Sequence, residues 1–123
     1  MYYSKSTIQF NYNRAIAQAR ELDSLANQLE NLAKRDMNDT LSAVSHSWSG
    51  DSARAFISKG HKAREDMMAS ARQLRNVASG IRKAAKNVRD AEERARQIAL
   101  IASRTSAGGG GGSFGSGGSI GSR

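Results

Sequence analysis

Starting at Phe56, this sequence can be stepped alternately by four and three residues without landing on a charge. The positions visited are Phe56, Gly60, Ala63, Met67, Ser70, Leu74, Val77, Ile81, Ala84, Val88, Ala91, Ala95, Ile98 and Ala102. A 3.5-residue repeat held over so many turns is the seam of helices wound left-handed about one another, and its small residues admit a close neighbour. The pattern predicts one helix over residues 51–105, about 1.5 Å long per residue and so about 75 Å over residues 54–104. Nothing in the chain interrupts it. Proline is absent, and of twelve glycines only Gly50, Gly60 and Gly80 precede residue 107.

The first half carries the same period less cleanly. Ala15, Ala19, Leu22, Ala26, Leu29 and Ala33 form a ladder that resumes through Met37, Leu41, Val44 and Trp48 after one stretched step, with Leu25 and Leu32 widening the stripe. Ser6-x-x-Gln9 has the spacing of a capping box, so the first helix is expected over residues 6–46. Two long helices joined by a connection this short fold back antiparallel, because their apolar seams have no other way to meet. Residues 47–50 are then the tip. Gly50 can adopt the left-handed conformation that ends a helix, and Asp51 is suited to cap the next one. The fold class is all-α, a two-helix hairpin occupying residues 1–105. Residues 106–123, "SAGGGGGSFGSGGSIGSR", have too little apolar surface to offset their ordering entropy and are expected to form a flexible tail.

Composition closes off several functions. The chain has 123 residues, no cysteine and two histidines, so neither a disulfide framework nor a thiolate metal site is available. His46 and His61 fall on different helices with no clustered carboxylates beside them, and Ser45 and His46, adjacent on a helix, diverge by about 100°. "GGGGGS" follows a helix rather than a strand, which argues against a phosphate-cradling loop. The sequence therefore points to no catalytic residue, no metal site and no cofactor. No stretch approaches the roughly 18 apolar residues of a membrane span, and "MYYSKSTIQFNYNR" lacks the apolar core of a signal peptide.

Trp48, the single tryptophan, sits in "SWSGD" at the tip. It either closes the Leu41–Val44 ladder or, because a two-helix protein offers a large aromatic few internal partners, presents its surface for recognition. Two long heptad-patterned helices with Trp48-Ser49-Gly50 at the turn between them resemble the WXG family of type VII (ESX-type) secretion proteins over residues 1–105. The resemblance implies a hairpin that dimerises into a four-helix bundle, and a non-enzymatic protein. It also implies synthesis in the bacterial cytoplasm and folded export by a membrane ATPase without a cleaved signal peptide. The implied partner is a second copy, another helical secretion protein, or the N-terminal region of a larger effector toxin. In relatives an export signal is formed by a tyrosine followed four residues later by an acidic residue, near the end of the second helix. This chain has no tyrosine after Tyr12, and the nearest equivalents are Val88 with Glu92 and Ala95, or Arg89 with Glu93.

Charge points to a second interface. The net charge is +8, and it is unevenly distributed: residues 1–47 carry five basic and five acidic side chains, residues 51–105 thirteen and six. With the seam at heptad positions a and d, Arg75, Arg82, Arg89 and Arg96 share one outward b column, a basic ridge at about 10 Å intervals. Ile57, Arg64, Ala71, Ala78, Ala85, Glu92 and Ala99 share the e column, so the apolar face is wider than one partner helix needs. The ridge suits an acidic partner chain. Nucleic-acid binding is the alternative function, opposed by the lack of interleaved aromatics and of helix-turn-helix spacing.

Overall fold

A computed structural model of the chain describes residues 3–108, with side chains through residue 105. The chain is all-α: α1 (Lys5–Asn31), a π-helical turn (Leu32–Met37), α2 (Asn38–Ser47) and α3 (Asp51–Gly108), with no strand among the described residues. The expected first helix over 6–46 is thus two helices joined without a break in handedness, since Asn31 and Asn38 on either side of the π turn both have right-handed helical backbone. α3 runs three residues past the expected end at 105. Of the tail 106–123 expected to be flexible, residues 109–123 lie outside the described residues.

The π turn is where the stretched step of the sequence falls. Ala19, Ala26 and Ala33 are seven residues apart and fully buried, but the next buried ladder residue, Leu41, comes eight after Ala33. One residue too many would rotate everything beyond it by about 100°. A wider turn takes up the surplus and returns Leu41 to the seam.

The N-terminal cap also differs from expectation. Ser4 rather than Ser6 holds it: the Ser4 Oγ accepts the Thr7 backbone N–H at 3.2 Å and donates to the Thr7 Oγ1 at 3.0 Å. A serine one residue before the helix and bonded to the third residue in it satisfies an orphan donor, which the Ser6 hydroxyl, already inside the helix, cannot do.

Two compact units are built from these helices, one over residues 13–85 and the other, among the described residues, over 3–12 with 86–108. In the first, α1 and α2 run antiparallel to α3: Asp23 meets Arg82, Glu30 meets Arg75, and Leu41 meets Gly60. Its core is Ala19, Ala26, Ala33 and Leu41 facing Ala53, Ala71 and Ala78. A seam of methyl groups draws two backbones close, as the ladder of small residues predicts. In the second unit Ile8 is buried and Tyr12 half-buried, with the Arg89 guanidinium carbon 4.2 Å from the Tyr12 ring centroid.

The seam of α3 is rotated by one column from the reading above. Gly60, Met67, Leu74 and Ile81 do turn inward, but they alternate with Ile57, Arg64, Ala71, Ala78 and Ala85, the expected e column. The other half of the expected seam, Phe56, Ala63, Ser70, Val77 and Ala84, is exposed. Alanine is the reason: Ala71 and Ala78 allow the tighter approach, so the helices meet on the small residues and leave the larger ones at the edge. Ser70, Ala63 and Val77 could not be told from seam positions by polarity alone.

Candidate functional site

The turn between α2 and α3 is built by backbone geometry. Trp48 leaves the helix in an extended conformation (φ −124°, ψ 145°) while its N–H still donates to the Val44 carbonyl at 2.8 Å. Gly50 follows at φ +98°, a conformation open to glycine and strained for other residues. Its carbonyl then accepts the Arg54 N–H at 3.1 Å, starting α3. Gly50 therefore occupies the capping position expected of Asp51, which lies in the first turn and pairs with Arg54. The acidic residue still faces the positive end of the helix dipole.

Because Trp48 departs from the helix, it does not continue the Leu41–Val44 ladder into the seam. It is 57 % exposed. Ser49 and Gly50 are exposed beside it. Its ring partner is Phe56, edge-on at 6.0 Å between centroids and 89° between planes. Ala43, Val44, Ser47, Trp48 and Phe56 line an apolar hollow of ≈ 320 Å³, and Phe56 also borders a second of ≈ 270 Å³ with Leu32, Met37, Leu41 and Gly60. Leu25 and Val77 are further exposed apolar residues of this unit.

The four arginines share one column, but it is not an outward ridge. Arg75 Nη2 reaches across to Glu30 at 2.6 Å and Asn27 at 2.8 Å, and Arg82 pairs with Asp23. Arg89 covers Tyr12 and lies 3.4 Å from Asp90, and Arg96 binds Glu93 at 2.6 Å. All four are half-buried. The rotated seam explains this: the expected outward column borders the real interface, within reach of the facing helix. The Arg75 hydrogen bond, helped by Lys34, holds the Glu30 carboxyl below the usual carboxylate range. Lys86 does the same for Asp90, and Arg96 for Glu93.

Val88 and Ala95 are exposed and Glu92 is half-buried, and their i, i+4, i+7 spacing places the three on one face of α3. Both histidines are exposed, His46 with Nδ1 2.8 Å from the Ser42 carbonyl. Among the described residues no group of three or more His, Asp or Glu could hold a metal ion, and no helix is long and apolar enough to cross a membrane.

Sequence reasoning missed three relationships. The heptad pattern places Phe56 in the seam, whereas the structure sets it beside Trp48. Tyr12 and Arg89 carried no signal. The crossed ion pairs did have one, since Asp23 and Glu30 are seven residues apart on one helix and Arg75 and Arg82 seven apart on the antiparallel one.

A family model described as proteins of 100 residues with WXG matches residues 7–93, a span that contains Trp48-Ser49-Gly50. No curated protein and no solved structure matches the chain.

Proposed function

The chain belongs to the WXG100 family, which is associated with type VII secretion substrates, and we propose that it is a non-enzymatic substrate of such a system or the small helical partner that delivers a larger effector. The observation that carries the proposal is Trp48. The only tryptophan stands outside any helix, more than half exposed, with its backbone fixed from both sides by Val44 and Gly50. A side chain of that size left open at a rigid turn supplies contact area at little ordering cost to whatever binds it.

The alanine core supports the partner half of the reading. In the unit Asn13–Ala85 the largest buried side chain is Leu41, while Leu25, Leu32, Phe56 and Val77 are exposed. Helices that bury this little are commonly completed by another chain, here a second copy or another helical protein, giving a four-helix bundle. The exposed flank next to the turn is where that chain would pack. In the same reading Val88, Glu92 and Ala95 form a degenerate export signal recognised by the type VII ATPase, or the partner supplies the signal.

The test is secretion of Trp48→Ala from a bacterium that carries a type VII system. The variant is expected to stay helical, to melt within a few degrees of the parent, and to disappear from the culture medium. A folded Trp48→Ala protein secreted at the parental level overturns the proposal.

A further inference from the structure

Phe56 is hard to explain as part of the hairpin's own packing. It is 47 % exposed, it lies on the exposed α3 column at the edge of the seam, where it borders the hollow beside Leu41, and Gly60 and Ile57 next to it turn further inward. A phenyl ring in that position exposes apolar surface without filling the core. Among the described residues its ring partner is Trp48.

Resting on the reading of Trp48 as the recognition residue, we propose that Phe56 is its positioning residue: the edge-to-face contact holds the indole in one orientation, with its outer face presented. Three observations support this. The other residues lining the hollow beside the indole, Ala43, Val44 and Ser47, are small, so they leave the indole room to turn. The 89° interplanar angle at 6.0 Å places the electropositive edge of one ring against the negative face of the other, a preferred and attractive geometry for an aromatic pair. The turn also fixes where Phe56 comes. The +98° φ of Gly50 and the Arg54-to-Gly50 hydrogen bond set the phase of α3, which brings its sixth residue alongside the indole.

The experiment uses the full chain, whose single tryptophan makes every indole signal specific to position 48. Near-ultraviolet circular dichroism reports the asymmetry of the indole's surroundings, and time-resolved fluorescence anisotropy reports its independent motion. Phe56→Leu is expected to reduce the indole dichroism by about twofold or more and to speed the fast anisotropy decay, with far-ultraviolet helicity retained. Phe56→Tyr, which keeps the ring, is expected to preserve both signals. Should Phe56→Leu lose helicity, Phe56→Met gives the same test with a good helix former. Unchanged indole signals in a folded Phe56→Leu or Phe56→Met variant, or an equal loss in Phe56→Tyr, overturn the proposal. In the secretion assay, Phe56→Leu is expected to fail as Trp48→Ala does and Phe56→Tyr to be exported. Normal export of Trp48→Ala would instead overturn the recognition reading, with positioning still decided by the indole signals.

Discussion

The side chain of Leu41 rests directly on the bare α-carbon of Gly60, so closely that a methyl group built there would collide with the Leu41 Cδ2. Gly80, on the same helix, has nothing within 4 Å of that position. The two glycines therefore predict opposite responses to one substitution. Gly80→Ala removes the backbone entropy cost of a helical glycine and should raise stability by about 0.5–1 kcal/mol. Gly60→Ala gains the same term but crowds a buried leucine, which typically costs about 1–3 kcal/mol, leaving a net loss near 1 kcal/mol. Thermal melts of the two variants check the sign of each.

The π turn predicts a tolerated deletion. Removing the exposed Asp36 shortens the interval from Ala33 to Leu41 from eight residues to seven and lets one continuous α-helix keep the seam in phase. That variant should fold with undiminished helicity. Deleting the exposed Ser24 removes one residue from regular α-helix and rotates part of the ladder off the seam by about 100°. It should lower the melting temperature sharply, as circular dichroism would record.

The Arg82–Asp23 pair links α1 to α3 with both side chains more than one-third exposed. Such pairs contribute modestly, so a double-mutant cycle with Arg82→Gln and Asp23→Asn should return a coupling of about 0.5 kcal/mol. The coupling should largely vanish in about 1 M salt, where the screening length is about 3 Å. Urea unfolding of the four proteins measures it.

Acidification should lower the stability of the chain, through one pair that crosses between helices, Glu30 with Arg75, and two within α3, Asp90 with Lys86 and Glu93 with Arg96. Glu30, Asp90 and Glu93 are each held below the ordinary carboxylate range by a neighbouring cation. A carboxyl with a depressed folded-state pKa adds stability that is fully present above its unfolded value and is lost as pH falls through the folded one. The melting temperature should therefore be level near neutral pH and begin to fall below roughly pH 4.5, near the unfolded carboxylate values. Arg75→Gln, which removes the main partner of Glu30, should flatten that fall, as thermal melts across the acid range would show.

The fold was legible because its signals are periodic. The absence of proline, the clean ladder through Ala19, Ala26 and Ala33, and the glycine after Trp48 each specify local geometry that the structure adopts. The phase of α3 was not legible. Ala71 and Val77 are both uncharged, and only the closeness of approach, a property of two helices together, decides which turns inward. The same difference of phase brings Arg75 and Arg82, outward in the heptad pattern, within reach of Glu30 and Asp23. At the turn, the exposure of Trp48 followed from its place in the sequence, but its contact with Phe56 depends on how far α3 is rotated as it leaves Gly50. A one-dimensional pattern does not hold that angle.

The division between alanines at the seam and larger apolar residues at the edge also separates two kinds of sequence change. Leu25, Leu32 and Val77 can drift to follow an altered binding partner, because none of them fills the space between the helices. Ala19, Ala26, Ala33, Ala71 and Ala78 have no such freedom, since any larger side chain would push the backbones apart. A lineage of such chains could diversify in what it binds while its interior stays nearly constant.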